Sequence, residues 1–172
     1  DLRTLAAEVG FEIKTTVGAV MGLDKIVADE LILPWRLLKR FGYKGTCQSL
    51  MFKATATNLP KIEAVLNEVC ARYNYSTAEV GAYIQPVERA RTFDCRIDLH
   101  AWQNREADRE NVKALYEEVS DAIIEAGAFF DRPYGPWADM MYRRNATYAE
   151  YLRKIKAELD PNNILNPGKL CF

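Results

Sequence analysis

The sequence is short of cysteine, histidine and clustered glycine. Its 172 residues hold one histidine, four cysteines and nine glycines. Cys47, Cys70, Cys95 and Cys171 stand far apart with no Cys-x-x-Cys among them, which excludes a zinc site, a haem attachment motif and a disulfide framework. Reduced, mostly buried thiols are expected, and no metal. The glycines are scattered, so no glycine-rich loop is present to wrap a pyrophosphate in backbone N–H groups. An excess of one charge is missing too. With 23 basic and 24 acidic residues interleaved, the net charge is −1, and neither nucleic acid nor an anionic membrane finds a field to bind. No apolar run approaches the roughly 20 residues of a membrane span. Asp1-Leu2-Arg3-Thr4 does not read as a signal peptide, and the expected location is the cytoplasm. A chain that starts on Asp1 instead of Met is expected to be a trimmed fragment or a piece of a longer polypeptide.

What is present is 49% hydrophobic, enough for one domain with a sizeable core, and it carries no internal repeat. Residues 1 to about 46 have little pattern. Leu23 to Arg40 is apolar but interrupted by Pro34, so two short helices meeting near Leu33 are predicted, after a loop or irregular strand from Phe11 to Gly22. From Gln48 the alternation of Leu50, Phe52, Ala54 and Ala56 with polar neighbours predicts a strand. Asn58 and Pro60 open a helix striped by Ile62, Val65, Leu66, Val69 and Tyr73. Two strands, Glu79 to Val87 and Thr92 to Trp102, form a hairpin around the charged link Glu88-Arg89-Ala90-Arg91. Phe93, Cys95, Ile97, Leu99 and Ala101 give the second strand a dry face, and Thr92, Asp94, Arg96, Asp98, His100 and Trp102 a polar one. A long helix from Glu106 to Ala126 stops at Gly127. The order strand, helix, strand, strand, helix predicts an α+β fold: a ferredoxin-like antiparallel sheet with helices on one face, followed by a C-terminal helix and an extended tail.

Three places have the composition of a site. The stretch Phe129 to Trp137, aromatic and stiffened by two prolines, is read as a loop that cannot be a helix; Tyr134 and Trp137 offer flat walls and Arg132 a fixed guanidinium for an anionic or carbonyl group. His100 on the polar strand face, beside Asp98 and Arg96, is a candidate proton acceptor or hydrogen-bond donor, with Trp102 and Tyr83 on the same face. Against these stand a loop packed on the sheet with Arg132 paired to Asp131 or Asp139, and a solvated strand histidine. Asp94 and Asp98 read as charge neutralised by Arg96. Beyond a final helix with a Thr147/Glu150 capping box and one face of Tyr148, Tyr151, Leu152, Ile155 and Leu159, the chain ends in Asp160-Pro161-Asn162-Asn163-Ile164-Leu165-Asn166-Pro167-Gly168-Lys169. This segment turns twice, is nearly devoid of charge and reads as a docking tail.

The tail resembles the carboxy-terminal signature of FAD-linked oxidases of the vanillyl-alcohol oxidase superfamily, an Asp-Pro followed by Ile-Leu-x-Pro-Gly. Upstream, Gly127, Arg132 and Asp139 keep the spacing of the vanillyl-alcohol oxidase and p-cresol methylhydroxylase branch, although the Met that precedes the Asp there follows it here as Met140 and Met141. The likeness spans the last third of the chain. It implies a cap, or substrate-binding, domain over residues 1–145 and a helix and tail, 146–172, that return to a separate FAD-binding domain or subunit. FAD is the implied cofactor and a small organic molecule, an aromatic alcohol or a hydroxy acid, the implied substrate, oxidised by hydride transfer to flavin. Arg132 would act in catalysis and orient substrate, His100 would assist proton transfer, Tyr134, Trp137 and Trp102 would line the pocket, and Asn166, Pro167, Gly168 and Lys169 would approach the flavin. Asp131 stands where that branch has a Tyr, and a carboxylate there would neutralise the guanidinium and repel an anion. Lacking a pyrophosphate loop, the chain is not expected to be active without an FAD-binding half, and no covalent tether is assigned, with Tyr43 left open. A stand-alone ferredoxin-like ligand-binding domain or assembly subunit without flavin is the other reading.

Overall fold

Helix α1, Leu2–Glu8, is capped by the Asp1 carboxylate on the N–H of Arg3 (2.8 Å), and helix α2 spans Leu23–Ile32. Both belong to the first of two units, Asp1–Gly42 and Tyr43–Phe172, in a computed structural model that describes residues 1–14, 21–32 and 43–169. Leu33, Pro34, the expected second short helix and most of the loop after Phe11 lie outside the described residues, as do Leu170, Cys171 and Phe172.

In the second unit the period-2 pattern becomes strand β1, Gly45–Ala54, which begins earlier than the apolar alternation does and stops earlier, because Thr55 accepts the N–H groups of Asn58 and Leu59 in a turn. Helix α3, Leu59–Arg72, follows with Pro60 in its first turn, where a missing N–H costs nothing. A short 3-10 turn, Thr77–Glu79, leads into β2, Val80–Val87, and β3, Thr92–Trp102. The charged link between them is the expected tight turn, with Glu88, Arg89 and Ala90 all at positive φ (50°, 56° and 60°). The sheet is antiparallel in the order β1-β3-β2. Among the described residues its fourth position is only begun: after the next helix, Phe129 exchanges both backbone hydrogen bonds with Lys53 of β1 (2.7 and 2.8 Å) and the chain then leaves.

One face is dry. Leu50, Phe52, Ile97 and Leu99 pack against Ile62, Leu66 and Val69 of α3 and Leu115, Val119 and Ile123 of helix α4, Glu106–Glu125. Each such side chain contributes about 1.5–3 kcal/mol on burial. α4 ends where Gly127 (φ +98°) donates to the Ile124 carbonyl and Ala128 to that of Ile123. This left-handed cap is the conformation glycine adopts without strain, and here a Cβ would also collide with the Asn58 side-chain amide.

Three expectations are corrected in the last third. The stretch expected to exclude a helix ends inside one: helix α5 spans Pro136–Arg144, with Pro136 in the first turn. Its Trp137 belongs to the core, donating Nε1–H to Ser120 Oγ (2.9 Å) with its ring 4.4 Å from that of Phe130, and is not in an open pocket wall. Helix α6, Ala146–Leu159, starts before the supposed Thr147/Glu150 box; Asn145 is its N-cap and accepts the N–H of Tyr148 (3.3 Å).

Candidate functional site on the polar face of the sheet

Cross-strand register stacks the polar residues in rows. Lys53, Asp94 and Gln85 form one, Met51, Arg96 and Tyr83 the next, and Ser49, Asp98 and Gly81 a third; Cys47 stands opposite His100. At the end nearest Lys53 the face is open, and Asp131 and Arg132 arrive over it from the segment that Phe129 pins to β1, closing a cavity of about 270 Å³. The same bridge decides where Asp131 points. Its carboxylate lies 3.5 Å from Lys53 Nζ, which also holds Asp94, and Asp94 first, with Asp131 second, raises the Lys53 ammonium above the ordinary lysine range. Asp131 therefore does not neutralise Arg132, contrary to the expectation from its place in sequence. The Arg132 guanidinium is exposed and has no hydrogen-bond or ion-pair partner among the described residues.

Arg96 lines the same cavity. Its guanidinium lies 5.5 Å from the centroid of the Tyr83 ring, and its Nε is 3.2 Å from Asp98 Oδ2. Asp98 is buried, and its other oxygen accepts the Ser49 hydroxyl at 2.6 Å. A carboxylate taken out of water needs such partners.

The other end of the face is closed. His100 is only 8% exposed and meets the Tyr43 ring edge-on at 5.4 Å, so it is not a solvated strand histidine. The Tyr75 hydroxyl replaces a strand partner for its backbone, accepting the His100 N–H (2.8 Å) and donating to its carbonyl (3.1 Å), and burial pushes that phenol up to about 12. His100 lies four residue steps along the strand from Arg96, roughly 13 Å. Trp102 is farther still, with the ammonium of Lys44 5.8 Å and the guanidinium of Arg105 5.5 Å from its ring. The structure thus brings Arg132 together with Arg96, Tyr83 and Lys53, and leaves His100 and Trp102 outside that cavity.

Tyr134 faces elsewhere. It lines a groove of about 790 Å³ with Leu152, Ile155 and Leu159 of α6 and Leu165, Asn166 and Lys169 of the tail. The tail is set by Asp160, whose buried carboxylate accepts the N–H groups of Ile164 (2.9 Å) and Leu165 (2.8 Å) and pairs with Lys156. Lys156 first, then these backbone donors, hold its acid down to about 2. Beyond it Asn166 (φ 49°), Pro167 and Gly168 (φ 70°) form a turn closed by the Lys169 N–H on the Asn166 carbonyl (3.2 Å). The sequence does not single out Arg96, Lys53 or Asp160, which the structure places at these two cavities. Alternation along β3 was the available signal for Arg96, hidden by the two acids that flank it.

This is an α+β domain with an arginine-lined cleft of balanced charge on the polar sheet face and an amphipathic carboxy-terminal helix followed by a tail. Residues 136–170, from the start of α5 into the tail, match the family described as FAD linked oxidases, C-terminal domain. Over 115 residues, 61% of this chain, the sequence is 26% identical to the glycolate oxidase subunit GlcD of Bacillus subtilis (strain 168). The alignment spans 22% of that relative, so this chain corresponds to about a fifth of the curated protein it matches. No solved structure matches. The two matches support a C-terminal domain of FAD-linked oxidases, part of an FAD-dependent oxidoreductase, and imply FAD as its cofactor; neither singles out the vanillyl-alcohol oxidase branch. The positive-φ glycines of the second unit are dispersed at 45, 127, 135 and 168, so no glycine-rich loop of the kind that cradles a pyrophosphate is formed among the described residues. No helix among those residues is long and apolar enough to cross a membrane.

Proposed function

We propose that this chain is the substrate-binding cap of an FAD-dependent oxidoreductase, with residues 1–145 covering the reaction site and 146–172 docking on an FAD-binding domain or subunit. The observation that carries this reading is the arrival of an unpaired Arg132 over the polar sheet face, in a cavity walled by Tyr83 and Arg96. FAD, when bound, supplies the acceptor for a hydride leaving a substrate carbon. Arg132 hydrogen-bonds a substrate oxygen and fixes the position of that carbon, Tyr83 offers it a flat surface, and the cap keeps water out. A cavity of about 270 Å³ suits a small hydroxy acid or aromatic alcohol. His100, closed off beside Tyr43, is assigned no proton transfer in this reading; the hydroxyl proton released with the hydride would pass to a base on the FAD-binding half. Asn166 and Lys169, exposed on the tail turn, are the groups that would border the flavin or its domain.

The reading is tested by the spectrum of the protein purified from its native host. Flavin absorption is expected, together with an FAD-binding polypeptide, in the same chain or a companion. FAD added to the 172-residue chain alone is expected to bind weakly or not at all. Tight stoichiometric binding by the chain alone, or a native preparation without flavin, would sink the proposal.

A further inference from the structure

We infer that Arg96 is a second anion-binding residue of the Arg132 cavity, aimed by Asp98 and Ser49, so that a planar carboxylate is gripped between two guanidinium groups. The inference rests on the reading of this cavity as the substrate site and adds a residue and a geometry to it.

Three cations and two acids line the cavity, and Asp98 lies behind it. Lys53 is committed to Asp94 and Asp131. Asp98 is committed on both oxygens, to Ser49 and to the Arg96 side chain. The Arg96 Nε is buried and makes no directed hydrogen bond, so its 3.2 Å approach to Asp98 is charge attraction that orients the group. With Nε turned toward Asp98 and the plane near the Tyr83 ring, the two terminal amino groups are the part of Arg96 left for the cavity, and they have no partner among the described residues. Arg132 brings its whole guanidinium. These are fork-shaped donors, which match the two oxygens of a carboxylate in a way an ammonium does not. Lys53, Arg96 and Arg132 against Asp94, Asp98 and Asp131 sum to zero. The site therefore holds an anion by short hydrogen bonds and does not draw it from a distance, so binding should depend only weakly on salt.

The test is a titration of the full chain with benzoate, with benzamide as the neutral isostere, followed by the side-chain nitrogen resonances of the arginines. In the unmodified protein both Arg96 and Arg132 resonances should move with benzoate, and benzamide should bind about tenfold more weakly or worse. Arg132→Ala and Arg96→Lys should each weaken benzoate by about fivefold or more, the second because a lysine keeps the charge and loses the fork. Ser49→Ala, which loosens Asp98 without touching the cavity, should weaken it less. If benzoate binds and depends on Arg132 while the Arg96 resonances stay still and Arg96→Lys binds like the unmodified chain, Arg96 is only the partner of Asp98; the inference fails and the substrate-site reading stands. If benzoate moves neither arginine, the substrate-site reading itself fails. The resonance arm needs no variant, so a misfolded Arg96→Lys would not remove the answer.

Discussion

Helices α4 and α6 follow one design and meet opposite fates. α4 buries Val112, Leu115, Val119, Ser120, Ile123 and Ile124 against the sheet and α3, whereas α6, with an apolar face of its own, buries only Ala149. Tyr148, Tyr151, Ile155 and Leu159 stay exposed, and the tail adds Ile164 and Leu165 at 72% and 64% exposure. Amphipathic spacing says that a face will be covered without saying by what. For α4 the cover lies within this chain; for α6 the described residues supply none, which is the exposed strip that the proposed docking on an FAD-binding half would cover, and the family match falls on that part of the sequence.

The sharpest way to break the comparison is to shave one side chain from each helix. Leu115 is fully buried, and Leu115→Ala should cost about 2–5 kcal/mol in urea unfolding. Leu159→Ala should change the stability of the chain by no more than about 0.5 kcal/mol and should instead weaken association with the FAD-binding half. Equal costs at the two positions would mean that α6 is packed in this chain after all.

A smaller effect is expected where α4 hands over to the segment carrying Arg132. Gly127→Ala places a Cβ against Asn58 and forces a left-handed backbone on alanine, for a loss of about 1–2 kcal/mol. Because Phe129 and Arg132 follow directly, the same variant should disturb the Arg132 cavity, read as a shift of the Lys53 and Asp131 side-chain resonances. Lost stability with an unmoved cavity would show that the bridge between Lys53 and Phe129 positions Arg132 without help from the cap.

The parts of this molecule legible in the sequence are those in which one local rule governs. β3 alternates cleanly, the hairpin link is charged and short, and Gly127 stops a helix whose stripe is unbroken. Helix α5 was obscured because Pro133 and Pro136 among aromatics look like loop, although Pro136 occupies the one turn of a helix that tolerates it. Asn145 lost its cap to a Thr147/Glu150 pair that fits the spacing of a capping box two residues too late. Arg132 is singled out as a candidate by its spacing from Gly127, and the structure places it at a cavity. Arg96 was not, since along the strand it sits between Asp94 and Asp98; only register places Tyr83 beside it, and only the bridge at Phe129 brings Arg132 over it.

The least costly change sharpens the contrast inside the tail itself, whose backbone is fastened while its apolar side chains are not. The sequence reads as a docking tail; the structure ties Ile164 and Leu165 to the Asp160 carboxylate within the chain. Asp160→Ala should therefore speed hydrogen exchange at these two amides by about tenfold or more and leave those of β3 unchanged. Acid gives the same test without a mutation. The Asp160 acid is held at about 2, below the roughly 3.9 of an unfolded aspartate, so its contribution is complete above about pH 4 and is lost as pH falls through 2. Amide shifts of residues 164 and 165 should thus stay constant from neutral pH down to about pH 4 and move only in stronger acid. A transition centred near pH 4 would mean that the carboxylate gains nothing from Lys156 and the two N–H groups, and that the tail awaits its partner for order as well as for cover.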